Sequence, residues 1–199
     1  MKSTLIKVAL GIVILVLGYL LVASILRPIR FEEEISKRNA LIVAKLKDIR
    51  SAQTFYKQLN NSYTGSFDTL FDFLRTGQIP VIKMIPDPTD TTFSRSIVDT
   101  IGFIGISDSL FGRRENFRME ELAIIPHSGG RKFEMNTTRV DKGGVFVPVL
   151  EIQVPYEIYL HDLDRQDVIN KIEQQKAILK FPGIRMGSMT EATLDGNWE

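Results

Sequence analysis

The chain of 199 residues contains no cysteine, two histidines and a single tryptophan. The lack of cysteine excludes disulfide bonds, thiolate nucleophiles, cysteine-ligated zinc and a lipoprotein anchor. Charges nearly balance, with 25 Lys and Arg against 24 Asp and Glu, so no excess of positive charge attracts phosphate. We therefore predict no nucleic-acid partner and no thiol chemistry.

Charged residues are missing from one long apolar stretch, residues 8–26. A helix over these nineteen residues would be about 28 Å long, close to the hydrocarbon thickness of a bilayer. A cleaved signal peptide is the alternative, but its apolar core has roughly 7–15 residues, and residues 24–30 lack a small-x-small cleavage site. We predict a transmembrane helix over residues 8–26 that anchors the chain in a lipid bilayer.

The charges and lengths of the segments on either side of this helix predict its orientation in the membrane. Lys2 and Lys7 precede the span while Arg27 and Arg30 follow it, so the positive-inside count is nearly tied. Because a short N-terminus precedes the span and a large domain follows, we predict that residues 1–7 are cytoplasmic and that the C-terminal domain is exported. A domain without disulfides must rely on a hydrophobic core.

Residues 27–60 are predicted to form an amphipathic stalk helix. Pro28 allows a break or kink at its start, and neither Gly nor Pro follows until after Asn60. Apolar side chains recur at helical spacing, namely Ile35, Ile42, Leu46, Ile49, Ala52, Tyr56 and Leu59. Two interpretations remain open: the stripe packs on the protein's own domain, or its membrane-proximal half pairs with another helix as a short coiled coil. In the second case, the candidate partner-binding residues are Ile35, Ile42, Leu46, Ile49 and Tyr56.

Residues 61–199 are predicted to form a small mixed α+β head with antiparallel strands. Ser66 is placed to cap a short helix that ends before Gly77, and a loop containing Pro80, Pro86 and Pro88 follows. Aromatic side chains along this stretch are predicted to pack the short helix against the stalk. They are Tyr56, Tyr63, Phe67, Phe71 and Phe73.

The remainder of the head is predicted to be mostly strands. Short β-type runs occupy residues 93–136, including residues 121–126, and residues 127–130 connect two strands. A tight turn at residues 143–144 precedes the strongest strand signal, residues 145–160. Because this run contains Pro148 and Pro155, it should lie at a sheet edge or contain bulges.

The C-terminal part is predicted to hold one more helix and a final strand over residues 184–189. Asp164 is placed to cap this helix, and residues 182–183 should stop it. Its core-facing side chains are expected to be Val168, Ile169, Ile172 and Leu179.

The common catalytic constellations lack their parts in this sequence. His127 and His161 stand alone without a metal-ligand pattern, and Asp162 and Asp164 resemble a helix start more than an acid–base pair. Neither a zinc-protease motif nor a nucleophile elbow is present. We predict no catalytic residue, no cofactor and no metal site; an envelope enzyme using His127 or His161 with distant carboxylates is a minor alternative.

Residues 45–74 resemble the region that follows the hydrophobic helix in type IV pilins and type II secretion pseudopilins. The resemblance lies in Ile49, Arg50, Ala52, Gln53, Tyr56, Tyr63, Phe67 and Leu70. The whole-chain pattern also looks like a family of single-pass envelope proteins of Bacteroidota, through residues 48–57, 128–135, 163–166 and 196–199. These resemblances imply a bacterial inner-membrane protein with a periplasmic domain.

The prediction for function is therefore a non-enzymatic bitopic subunit of a cell-envelope machine, such as a pilus-like or secretion assembly. Its partners would be other inner-membrane and periplasmic subunits in an oligomeric complex. The alternative is a membrane-anchored periplasmic chaperone that adds a peptide to an edge strand around residues 145–159.

Trp198 lies one residue from the C-terminus, where chains usually fray. It is a candidate anchor in a partner pocket. Folding back onto its own domain is an equal alternative, because tryptophan is highly buried on average.

Overall fold

The computed structural model describes residues 2–86, 96–115 and 117–199. In chain order the elements are α1 (Lys2–Asn60), α2 (Phe67–Thr76), β1 (Gln78–Pro86), β2 (Ser96–Gly105), α3 (Ile106–Phe111), a 3₁₀ helix (Met119–Ala123), β3 (Met135–Lys142), β4 (Val145–Pro155), α4 (Tyr156–Tyr159), α5 (Arg165–Ala177) and β5 (Gly183–Gly187). The fold is α+β, with a long, apolar N-terminal helix and two small antiparallel sheets, as the sequence predicts.

Helix α1 is continuous for 59 residues and joins the apolar stretch directly to the stalk. Pro28 lies inside this helix and does not break it. Proline removes one backbone hydrogen bond, but its fixed φ near −65° is compatible with a helix, so the flanking turns continue through it. The apolar segment (residues 10–26) and the stalk (residues 27–60) are therefore two parts of one helix.

One face of the stalk forms a wall of the hydrophobic core. Its buried apolar residues are Ile35, Ile42, Leu46, Ile49 and Ala52, each at most 2% exposed. They belong to the same cluster as buried residues of α2, β4, α4, α5 and β5. The structure thus favours the interpretation in which the stripe packs on the protein's own head (residues 61–199).

Helix α2 lies against the far end of the stalk, as predicted. The Ser66 side chain accepts a hydrogen bond from the Thr69 amide, and the Gly77 amide closes the helix on the Phe73 carbonyl at 2.8 Å. The rings of Tyr56 and Phe73 meet edge to face at 5.0 Å. Leu70, Phe71 and Leu74 are buried, so the aromatic residues of this stretch serve packing.

The larger sheet has the order β3-β4-β5, all antiparallel. The prediction of an edge strand over residues 145–159 is only partly correct: residues 145–150 pair with β3 alone, residues 151–155 are central between β3 and β5, and Tyr156–Tyr159 is a helix. Pro148 is tolerated because β5 pairs only with Glu151–Pro155, which leaves the first half of β4 with a single neighbour. Gly143 and Gly144 form the predicted two-residue turn, with φ of +67° and +89°.

The smaller sheet is a hairpin of β1 and β2. Strand β2 is predicted in part by the sequence, but β1 occupies the stretch for which a proline-containing loop was expected. Pro80 lies opposite Phe103 in this two-stranded ladder, where one edge of each strand is open and a missing amide costs little. Pro88 and Phe93 lie outside the described residues.

The prediction of strands on both sides of residues 127–130 needs correction. Residues 119–123 form a 3₁₀ helix, and of the run over residues 121–126 only Ile124 makes a bridge, to Lys132, so this run is not a strand. Residues 127–130 form the predicted turn, but it joins this single bridge and not two strands. The buried Ser128 hydroxyl donates to the Ile125 carbonyl at 2.7 Å and accepts from the Arg131 amide at 2.9 Å.

Helix α5 begins as predicted, with Asp164 accepting hydrogen bonds from the Gln166 and Asp167 amides. Val168 and Ile172 are buried, but Ile169 and Leu179 are exposed, at 41% and 95%. Ile169 lies on the flank of the helix, and Leu179 follows the last turn, which ends at Ala177 before residues 182–183 are reached. Strand β5 forms the predicted return.

We predict that Gly187→Ala destabilises the protein more than Gly143→Ala does. Both glycines have positive φ, which costs an alanine about 1–2 kcal/mol. At Gly187 a Cβ would also lie 2.0 Å from the Leu150 carbonyl oxygen, whereas nothing lies within 4 Å at Gly143. Urea denaturation of the full chain in mild detergent, followed by circular dichroism, measures both; equal losses would contradict the close approach of β4 and β5.

Candidate functional site: the anchor helix and its junction with the head

The apolar segment stands clear of the rest of the protein. Its large apolar side chains are all exposed, from 38% at Leu26 to 75% at Leu15. Its most apolar window has a mean hydropathy of 2.4, and none of it is buried. A core helix of this composition would be covered by the fold, so the segment fits a membrane anchor.

The proposed partner-binding residues of the stalk lie in different surroundings. Ile35, Ile42, Leu46 and Ile49 are core residues of the head, and a partner cannot reach them while the head is folded. Tyr56 is half-buried against Phe73. The structure therefore places these five side chains in intramolecular packing.

Trp198 is half-buried and packs against the core rather than extending from the C-terminus. Its indole covers Gly196 so closely that a Cβ there would lie 2.3 Å from the ring. The Asn197 amide donates to the Arg185 carbonyl and the Asn197 side chain donates to the Gly183 carbonyl, which fixes the tail along β5. The fold-back alternative is thus the one that the structure adopts.

Arg38 is the buried charge at the junction between stalk and head. Only 5% exposed, it lies between Ile35 and Ile42 on the buried face of the stalk. Its guanidinium donates to both Asp162 carboxylate oxygens, at 2.5 and 2.8 Å, and to the Tyr159 carbonyl at 2.7 Å. The Arg38 hydrogen bonds lower the pKa of Asp162 to about 2. A buried guanidinium is tolerated only with such complete pairing.

Tyr159 extends the same junction. It is fully buried, and its hydroxyl donates to Asn39 Oδ1 at 2.7 Å. Burial raises the pKa of the Tyr159 phenol above its ordinary value, so it stays protonated as a hydrogen-bond donor. Arg38 and Asn39 therefore bind the main chain and the side chain of one tyrosine in α4.

Further polar contacts bind the stalk to the head on both flanks of the stripe. In order of distance from the apolar segment, they are Glu32 with Lys171 at 2.7 Å, Lys45 with the Glu121 and Ile124 carbonyls, Asp48 with Arg114 at 2.5 Å, and Arg50 with Glu199 at 2.7 Å. Burial lowers the pKa of the Lys45 ammonium. These charged residues of the stalk are thus partly engaged by the head rather than simply solvated.

Gln53 joins the stalk to the turn that precedes α2. It is fully buried, and its amide nitrogen donates to the Thr64 carbonyl at 2.7 Å while its amide oxygen accepts from the Thr64 amide at 3.1 Å. These two hydrogen bonds satisfy both the amide and the carbonyl of Thr64. Gln53 therefore has a structural role at the junction of the stalk with the head.

A cavity of about 520 Å³ lies between the stalk and residues 114–126. Leu41, Phe117 and Leu122 contribute apolar lining. Of its polar residues, Arg114 binds Asp48 and lies near the Phe111 and Phe117 rings, and Lys45 binds two main-chain carbonyls. Among the described residues that line the cavity, no nucleophile has a neighbouring base.

His161 does not form a reaction centre with its neighbouring carboxylates, Asp162 and Asp164. His161 is exposed, and its Nδ1 lies 3.1 Å from the Ile158 carbonyl. The adjacent Asp162 is bound by Arg38, and Asp164 caps α5. Within the described residues, no group of three His, Asp or Glu side chains could hold a metal ion.

The hairpin of β1 and β2 is the main apolar surface of the head. Its exposed residues are Val81, Ile82, Ile101, Phe103 and Ile104, from 38% to 67%. Paired residues share one face and neighbours alternate, so Phe103 with Pro80 and Ile104 with Ile79 lie on opposite faces. Both faces of the hairpin are therefore apolar.

Two of these functional residues carried a signal in the sequence. Arg38 is three residues after Ile35 and four before Ile42, and Gln53 is four after Ile49, so both occupy stripe positions. A charged or amide side chain at such a position predicts a buried polar partner. Nothing in the sequence, however, names Asp162 or Thr64 as that partner.

Comparison of the chain with protein-family models, curated proteins and solved structures finds no match.

We predict that Asp162→Asn lowers stability and that the loss depends on pH. The pKa of Asp162 is lowered to about 2, so the ion pair stabilises the fold above the ordinary carboxyl pKa of about 3.9 and is lost as the pH falls toward the folded value. The free-energy difference between wild type and variant should therefore shrink between pH about 4 and about 2. It should be modest, because half of the Asp162 side chain is exposed.

Urea denaturation across this pH range checks the prediction. Asp72→Asn is the matched control, since Asp72 is exposed and no described basic group pairs with it. A constant difference for Asp162→Asn would contradict the role of its charge.

Trp198→Ala should lower the free energy of unfolding by about 1–3 kcal/mol, because a half-buried aromatic surface is lost. Glu199→Gln, which keeps the ring and weakens only the pair with Arg50, should cost less than about 1 kcal/mol. Thermal unfolding in detergent compares the two. Unchanged stability of Trp198→Ala together with loss of a bound partner would restore the partner-anchor hypothesis.

Proposed function

We propose that the protein is a non-enzymatic, single-pass inner-membrane subunit of a bacterial cell-envelope assembly, with a periplasmic head that docks partner subunits. A pilus-like or secretion assembly is the specific form. The observation that carries the proposal is the division of α1, which is apolar and uncovered from Leu10 to Leu26 and then supplies a core wall from Ile35 onward. A helix of this kind suits an anchor that continues into a folded domain.

The polar contacts of the junction support a structural role. Arg38 and Arg50 pair with carboxylates of the head, Asp48 pairs with the Arg114 guanidinium, and the Gln53 amide binds a backbone unit. Groups used in this way position elements and are not available to a substrate. The pilin-like stretch then joins the stalk to the head, as a filament or scaffold subunit requires.

The β1–β2 hairpin supports docking of another protein subunit. The hairpin begins at Gln78, directly after α2, and so starts close to the contact between Tyr56 and Phe73. Tyr56 lies about 45 Å from Leu26 along the axis of α1. An isolated two-stranded hairpin with apolar side chains on both faces is marginal in water and gains stability when a partner covers it. At this distance from the apolar segment, the partner is a protein of the same compartment as the head.

Affinity purification of the full chain in mild detergent, through a tag after Glu199, tests the proposal. We expect specific subunits to co-purify at a fixed ratio, and Phe103→Glu to remove them because a carboxylate cannot be buried in the interface. Phe146→Glu is the matched control: Phe146 is 68% exposed, like Phe103 at 67%, but belongs to the β3–β4 hairpin. A monomer without partners, or equal retention by both variants, would refute docking through the β1–β2 hairpin.

A further inference from the structure

A polar cavity lies where the end of α5 meets strand β5. Its volume is about 450 Å³, within the roughly 300–1,000 Å³ that is typical of small-ligand pockets. Helix α5 contributes Gln175, β5 contributes Ile184 and Arg185, and the stalk contributes Asn39. The C-terminal tail lines one side through Asn197. Four parts of the chain that are distant in sequence thus form its walls.

The charged residues that line this cavity are cations. They are Lys180 and Arg185, and none of the described lining residues is an aspartate or a glutamate. The side chains of these two cations form no ion pair with a described residue, whereas Arg38 and Arg50 each bind a carboxylate. Positive charge without a compensating carboxylate favours an anionic ligand.

Uncharged side chains of the cavity add hydrogen-bonding groups. Asn39 accepts from the Tyr159 hydroxyl through its oxygen at 2.7 Å, which leaves its amide nitrogen as a donor. Gln175 and the 7% exposed Tyr156 also line the cavity, and neither side chain has a hydrogen-bond partner among the described residues. Burial raises the pKa of the Tyr156 phenol, so it stays protonated. The cavity therefore offers amide groups as well as cations.

Leu179 supplies an apolar contact at the same cavity. It has φ of +57°, in the left-handed region where glycine is favoured, and yet its side chain is 95% exposed. The half-buried Phe181 lines the cavity beside it. A strained leucine that its own fold leaves uncovered suits a place where a ligand packs.

These groups together fit the carboxylate end of an apolar peptide. Such an end brings a carboxylate for the two cations, amide units for Asn39 and Gln175, and an apolar last side chain for Leu179. A fatty acid has no amide units, and inorganic phosphate has no apolar part. The peptide is the anion that uses all three kinds of group.

We propose that this cavity binds the C-terminal carboxylate of an apolar peptide, with the carboxylate at Lys180 and Arg185 and the last side chain on Leu179. The peptide amides pair with Asn39 and Gln175. This site lies apart from the β1–β2 hairpin, and it depends neither on docking there nor on the membrane anchor.

Isothermal titration calorimetry of the full chain in mild detergent tests the site. The probe is acetyl-Gly-Ala-Leu with a free carboxylate, and the same peptide ending in a carboxamide is the control. We expect the carboxamide to bind about tenfold or more weakly, because it loses charge-assisted hydrogen bonds. Equal affinity for the two peptides, or no binding of the carboxylate peptide up to about 1 mM, would overturn the proposal.

Two substitutions locate the peptide. Arg185→Gln and Lys180→Gln should each weaken binding by about tenfold. Arg139→Gln is the matched control, because Arg139 is an exposed arginine in the same sheet that does not line the cavity. All three side chains are exposed, so the variants should fold, which circular dichroism checks. Full affinity in both lining variants, or an equal loss in Arg139→Gln, would contradict binding at this cavity.

Other anions test the choice of a peptide. Hexanoate and inorganic phosphate, titrated in the same way, should bind about tenfold or more weakly than acetyl-Gly-Ala-Leu, because each leaves some of the lining groups without a partner. Binding of either one as tightly as the peptide would assign the cavity to a fatty acid or to a phosphate compound and would refute the peptide site.

Discussion

The apolar stripe of α1 from Ile35 to Ala52 is the surface on which the core of the head is built. Buried residues from helices α2, α3, α4 and α5 of the head, and from its three-stranded sheet, form one hydrophobic cluster with this stripe. Because the same helix continues without interruption into the apolar segment, the first core residue, Ile35, is only about 13 Å along the axis from Leu26. No flexible linker separates the two, so the head must follow the tilt and rotation of the apolar segment.

Two buried polar residues within the stripe, Arg38 and Gln53, fix the position of the head along the stalk. An apolar stripe alone permits sliding by one helical turn, since residues at three and four apart present similar surfaces. Arg38 and Gln53 remove that freedom, because each is buried and finds its partners in only one register. A shift by one turn would leave a guanidinium and an amide without hydrogen bonds, which costs several kcal/mol.

Local chemistry made much of this fold predictable from the sequence. Ser66 and Asp164 cap helices through bonds to amides two or three residues away, so their roles depend only on neighbours. Strand β1 was missed because Pro80 suggests a loop unless the strand is known to have open edges. The contact of Arg38 with Asp162 joins residues 124 positions apart, and the sequence shows that Arg38 needs a partner without showing which. The long apolar N-terminal helix is the clearest signal, since it depends on composition and length alone.

The β1–β2 hairpin is kept away from the apolar segment by the length of α1. The hairpin starts near Tyr56, about 45 Å beyond Leu26 along the axis. Strand β1 has nine residues and is about 30 Å long, so even a hairpin folded back toward the apolar segment would stop about 15 Å short of Leu26. Because α1 is continuous, the helix itself maintains this separation.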